Sequence, residues 1–126
     1  TLRLVEKAAI ELEKLNINIE IIDLQTLIPF DNDLIIKKSL KKTNKLFIVD
    51  EDLPGGASSY ILQKVIEDQN AFEFLDSKPI TLTSKAHRPA YGSDGDYFSK
   101  PSVDDIIEKA NYIMNEYDPE NYPEIF

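Results

Sequence analysis

An apolar run that ends in acids, crosses a Pro-Gly-Gly turn and re-emerges with helical spacing does most to limit what this chain can fold into. It is KLFIVDEDLPGGASSYILQKVI, from Lys45 to Ile66. Leu46 to Val49 has strand length and is apolar throughout, as a parallel strand covered on both faces must be. After Pro54-Gly55-Gly56, residues Ile61, Leu62, Val65 and Ile66 share one stripe of a helix reaching about Gln69. A strand feeding a helix is the unit of an α/β domain, where ligands and partners are met at the carboxyl ends of the strands.

The rest of the chain keeps that alternation. Val5, Ala8, Ala9, Leu12 and Leu15 recur at three- and four-residue steps among charged residues, which predicts an amphipathic helix starting almost at the first residue. Ile17, Ile19 and Ile21 then alternate into Asp23-Leu24 and predict a strand, the expected neighbour of Leu46–Val49. Pro29 ends that segment, and Asp31 or Asp33 is placed to cap a helix through about Lys42, with Leu34, Ile35 and Leu40 on its apolar side. Ile80 to Thr83 is a third strand. Lys85 to Pro101 carries Gly92, Gly95 and the aromatics Tyr91, Tyr97 and Phe98, and is expected to be irregular loop. Ser102 and Asp105 form a capping box for a last helix whose apolar face is Val103, Ile106, Ile107, Ala110, Ile113 and Met114. Beyond Tyr117, residues 118–126 are an acidic tail with two prolines, either frayed or a docking element.

This order predicts a three-layer α/β/α fold with a mostly parallel sheet, and one domain over residues 1–126. The opening helix has no strand before it. The chain is therefore expected to be a fragment, with an upstream strand of the natural polypeptide completing the sheet.

Charge and composition narrow the function. A formal net charge of −9 with fourteen basic residues leaves no phosphate-neutralising surface, so nucleic acid is excluded as a partner. No apolar run approaches the ~18 residues of a membrane span, so no membrane association is expected. The absence of cysteine and a single histidine exclude a disulfide framework and a His-rich zinc site, and a cytoplasmic setting is expected. An acidic surface favours encounter with basic partners, though it also serves solubility.

Single constellations carry little chemistry. Asp50, Glu51 and Asp52 at a strand end are of a kind that binds Mg²⁺, and with Lys78-Pro79 they superficially resemble a receiver domain. No further strand ending in Asp lies between Asp52 and Lys78, so they are read as solvated carboxylates. Gly55-Gly56 lacks the full dinucleotide fingerprint and the lysine of a phosphate-binding loop; a positive φ and close packing are expected there, with Ser58 or Ser59 near the cap. His87, beside Arg88, has no serine or carboxylate partner by spacing and is expected to make a polar or interface contact.

Three blocks in order carry a family resemblance: IEIIDLQTLIPFD from Ile19 to Asp31, KKTNKLFIVDED from Lys41 to Asp52, and PGGASSYI from Pro54 to Ile61. Together they resemble the C-terminal domain of the β subunit of thiamine-diphosphate-dependent 2-oxoacid dehydrogenases, of the pyruvate or branched-chain 2-oxoisovalerate type. The transketolase C-terminal domain shares that fold. Asp23, Pro29, Glu51, Gly55 and Gly56 are the motif positions, and the resemblance makes them structural. The family's usual arginine is Gln25 here, the acid-to-glycine loop is shorter, Tyr60 replaces an acidic residue, and the loop around His87, Arg88, Tyr91 and Asp94 departs from the proline-rich form.

The resemblance implies an oxidoreductase parent that uses thiamine diphosphate and Mg²⁺ to decarboxylate a 2-oxoacid and pass the acyl group to lipoyl. It implies no catalytic, cofactor-binding or metal residue in this domain. Its implied role is assembly with other domains or an α subunit in an oligomer, and docking of the basic subunit-binding domain of the lipoyl acyltransferase core. Glu124, Phe126, His87 and Arg88 are the implied partner contacts. A transketolase or deoxyxylulose-phosphate-synthase type parent, or a free-standing receiver-like module, are the alternatives.

Overall fold

A computed structural model describes residues 1–52, 54–87 and 97–125, with backbone alone at 86, 87 and 97–99. Helix α1 (Leu2–Glu13) forms where the apolar stripe predicts it and buries Ala8 and Leu12 completely. Asn16 stops it in the left-handed conformation, φ 62°, a region that asparagine tolerates. The Asn16 N–H donates to Glu13 O and the Ile17 N–H to Leu12 O, each at 3.0 Å, which satisfies two end carbonyls and folds Ile17 onto Leu12.

The expected isoleucine strand is not paired. Among the described residues no backbone hydrogen bond is made by residues 18–26. Strand β1 (Phe47–Val49) instead pairs in parallel with β2 (Ile80–Leu82), in the register Phe47 to Ile80, Ile48 to Thr81 and Val49 to Leu82. This two-stranded ladder is the whole parallel sheet among the described residues, smaller than the sequence order suggests.

Helix α2 (Ile35–Thr43) is capped from outside by Asp31, whose carboxylate accepts the Ile35 N–H at 2.9 Å and the Ile36 N–H at 3.0 Å. Among the described residues no hydrogen bond to Asp33 is seen. Leu40 is buried as expected, beside Ile36 and Ser39, whereas Leu34, left-handed at the helix entry, and Ile35 are exposed. Gly55 takes φ 85°, and Gly56 precedes α3 (Ala57–Gln63), which continues as a wider π-helical turn, Lys64–Asp68, and then a 3₁₀ turn, Ala71–Phe74. Nothing packs within 4 Å of a Cβ placed at Gly55, so its backbone angle, not close approach, accounts for glycine there. Neither Ser58 nor Ser59 makes a side-chain cap to α3; Ser58 is buried instead.

The supposed irregular loop contains a short antiparallel pair, β3 (Lys85–His87) with β4 (Tyr97–Ser99), in which His87 faces Tyr97. Backbone pairing holds these residues despite the turn formers between them. Helix α4 (Val103–Tyr117) has the expected capping box: the Asp105 N–H donates to Ser102 Oγ at 3.1 Å and the Ser102 N–H to Asp105 Oδ2 at 2.9 Å.

Two apolar clusters hold these elements. One joins α1 and α4 through Ala8, Leu12, Ile17, Leu82, Ile106, Ile107 and Ala110, with Phe47, Val49 and Tyr122 at its margin. The other joins α2 and the turns after α3 through Ile36, Leu40, Val65 and Ala71, with Ile22, Leu24 and Leu46 against it.

Candidate functional site

At the carboxyl end of the sheet, Asp50, Glu51 and Asp52 follow β1. The Asp50 carboxylate accepts the Asp52 N–H at 3.2 Å through one oxygen, while its other oxygen is buried without a hydrogen-bond partner among the described residues. The expectation of three solvated carboxylates is therefore wrong for Asp50. Glu51 is exposed at its side chain and meets the Thr1 nitrogen at 3.2 Å and the Lys100 Nζ at 3.4 Å. Hydrogen bonds from Thr1, then from the amino group there and from Lys100, hold its carboxyl down at about 2. The Ser84 hydroxyl donates to the Glu51 carbonyl, and the Ser84 N–H donates to Asp52 O at 3.0 Å. These contacts tie the strand end to β2 and to the start of α4. Among the described residues no group of three or more His, Cys, Asp or Glu side chains is placed to hold a metal ion.

A second feature lies around the cis Ile28–Pro29 peptide, where an open cavity of about 400 Å³ is bounded by Pro29, Phe30, Tyr60, Lys64, Asp68 and Gln69. Phe30 and Tyr60 meet edge to face with ring centroids 6.1 Å apart, and the Tyr60 hydroxyl donates to the Leu27 carbonyl at 3.4 Å. Asp31 also accepts from Gln69 Nε2 at 3.2 Å, so one carboxylate joins the loop, α2 and the end of the π-helical turn. Asp23 lies apart from this cavity, exposed, accepting from Gln25 Nε2 at 3.2 Å.

The tail is docked, not frayed. Asn111 Nδ2 donates to Pro123 O at 3.1 Å and Asn115 Nδ2 to Tyr122 O at 2.9 Å, while the Tyr122 N–H donates to Asp118 O at 3.0 Å. Tyr122 packs against the α1–α4 cluster. Asn111 is itself buried, and Glu124 and Ile125 are left exposed beyond the last anchor. Sequence reasoning passed over both asparagines. Their signal was present: they lie four residues apart, on one helix face, beside an apolar stripe.

The structure does not gather the candidate residues into one site. Pro29 borders the cavity, Glu51 closes the strand end, Gly55 and Gly56 shape the turn into α3, and Glu124 stands on the tail. The backbone of His87 lies in β3; Arg88 and Phe126 fall outside the described residues.

Residues 1–103 match the family described as transketolase, C-terminal domain. The chain belongs to that family. This transketolase C-terminal domain is homologous to pyruvate dehydrogenase E1 component β subunits, among them that of Rhizobium meliloti (strain 1021), 35% identical over 108 residues, covering 85% of this chain and 23% of that protein. The mitochondrial β subunit of Saccharomyces cerevisiae is 31% identical over 112 residues, with 87% and 30% covered. That of Mesostigma viride is 39% identical over 95 residues, with 75% and 28% covered. The chain thus spans between a quarter and a third of the length of most such relatives. No solved structure matches it.

Proposed function

We propose that this domain assembles and docks the decarboxylating component of a 2-oxoacid dehydrogenase complex, without supplying catalytic groups. The parent enzyme would oxidatively decarboxylate pyruvate and transfer the acyl group to lipoyl. Pyruvate is favoured over a branched-chain 2-oxoacid, and over a transketolase-type parent, by the names of the relatives. An α subunit and the subunit-binding domain of the acyltransferase core are the proposed partners. The observation that carries the docking role is the tail: two asparagines and a packed tyrosine fix its backbone, so that acidic Glu124 and apolar Ile125 are presented at a set place. Ordering these groups in advance lowers the entropy lost on binding.

Thiamine diphosphate and Mg²⁺ supply the decarboxylation chemistry in the proposed parent. Among the described residues no group of three or more His, Cys, Asp or Glu side chains is placed to hold the Mg²⁺. Those groups are assigned to other parts of the parent, and none of the steps is placed on this domain.

The test measures binding of a recombinant subunit-binding domain to the assembled parent enzyme by calorimetry, with Glu124→Lys and with Phe126 deleted. Charge reversal at a docking contact should weaken binding by roughly tenfold or more, while decarboxylation with an artificial electron acceptor is unchanged. Unaltered affinity in both variants would remove the tail from the contact.

A further inference from the structure

The cavity beside Pro29 lies apart from the strand end and the tail, and its two walls differ in character. Its volume, about 400 Å³, falls within the range of small-molecule sites. One wall is aliphatic: Ile28 is 82% and Leu34 41% exposed, large apolar side chains left in water at the edge of a concavity. The other wall is polar and comes from the π-helical turn Lys64–Asp68, a distortion that recurs at functional sites.

Gln69 follows that turn, lines the cavity and is only 8% exposed. Asp31 accepts from its Nε2 at 3.2 Å, while its Oε1 has no partner among the described residues. An unpaired buried acceptor calls for a donor, and the cavity is where there is room for one.

The charged groups set what such a donor belongs to. Lys64 Nζ lies 2.9 Å from Asp68 Oδ2 and 5.5 Å from the centre of the Tyr60 ring, and both members of the ion pair are partly open to water. Asp31 adds a second carboxylate, which already accepts from three donors. A lone anion entering the cavity meets two carboxylates, and a lone cation meets the Lys64 ammonium. A zwitterion laid head to tail along the ion pair meets neither penalty, because its ammonium faces Asp68 and its carboxylate faces Lys64.

We infer that this cavity binds a small aliphatic 2-amino acid in its zwitterionic form. The ligand carboxylate accepts from Lys64, the ammonium donates to Asp68 and supplies the donor that Gln69 Oε1 lacks, and the side chain covers Ile28 and Leu34. The inference does not rest on the docking role proposed for the tail, with which it shares no residue.

The test is calorimetric titration of the assembled parent enzyme with three probes. They are L-leucine, 4-methyl-2-oxopentanoate, which lacks the ammonium, and 3-methylbutylamine, which lacks the carboxylate. L-Leucine should bind saturably with a dissociation constant of about 1 mM or tighter. Lys64→Met removes a charged hydrogen bond and Ile28→Asp sets a charge in the aliphatic wall, and each should weaken leucine binding roughly tenfold or more. Both side chains are open to solvent, so the fold tolerates either change. At the site these variants identify, the oxoacid and the amine should bind roughly tenfold or more weaker than leucine. Absence of saturable leucine binding, leucine affinity unchanged in either variant, or an oxoacid or amine that binds there as tightly as leucine would each overturn the proposal.

Discussion

Replacing Asp31 with alanine should destabilise the domain by about 3 kcal/mol. The carboxylate accepts three hydrogen bonds, from the Ile35 and Ile36 amides and from Gln69 Nε2. Loss of an N-terminal cap costs about 1 kcal/mol. Gln69 is buried and its Oε1 has no partner among the described residues, so removing Asp31 strands the whole side-chain amide at a further cost of about 1–2 kcal/mol. Asp31 also sits at φ 38°, where alanine is less at ease than aspartate or asparagine. At a denaturant slope of about 2 kcal/mol/M, the urea midpoint should fall by about 1.5 M. Asp31→Asn keeps one acceptor and the left-handed tolerance, so its loss should be about 1 kcal/mol. In a Gln69→Leu background the cost of Asp31→Ala should shrink by about 1 kcal/mol, because no buried amide is left stranded. A loss below about 0.5 kcal/mol for Asp31→Ala, or strict additivity with Gln69→Leu, would refute the reasoning that one carboxylate joins the two elements.

Other outcomes follow from the same geometry. Leu12→Ala, at a fully buried position in the α1–α4 cluster, should cost about 2–5 kcal/mol, read by chemical denaturation. Asn111→Ala and Asn115→Ala should each release the tail, seen as faster exchange of the Tyr122 amide and earlier proteolysis after residue 118, with α4 itself intact. Hydrogen bonding from the Ser102 backbone amide lowers the Asp105 carboxyl from its ordinary value. A depressed folded-state pKa means that the capping box stabilises fully above the ordinary carboxylate value near pH 4 and that this stability is lost as pH falls through the lower folded value. Ser102→Ala should cost about 1 kcal/mol at pH 7 and leave most of the acid limb in place, because the Ser102 N–H still donates to Asp105, whereas Asp105→Asn, which removes the titrating carboxyl, should flatten that limb.

Much of this fold was legible because its signals are local. The stripe of α1 and the Ser102–Asp105 capping box lie within one or two helical turns, so propensity and side-chain hydrogen bonding act on neighbours in sequence. The resemblance carried by the three blocks was likewise readable, and residues 1–103 match the family it named. The misreadings were of long-range events. Strand pairing depends on which edges meet in space, and among the described residues β1 pairs with Ile80–Leu82 and not with the isoleucine segment. Leu40 lies on the buried face of α2 as its spacing suggested, but Leu34 takes a left-handed entry and is exposed with Ile35, which spacing alone does not reveal.

The candidate site followed the same division. Sequence alone determined the net charge, the absence of thiols and the run of apolar and turn residues from Lys45 to Ile66, which together require an acidic α/β domain. Only tertiary structure decided that Asp50 buries one oxygen, that Glu51 pairs with Lys100, and that Asn111 and Asn115 hold the tail. Helices close on hydrogen bonds four residues apart and can be written into a short stretch of chain. Ladders, buried carboxylates and docked tails are settled by what arrives from a distance to pair with them.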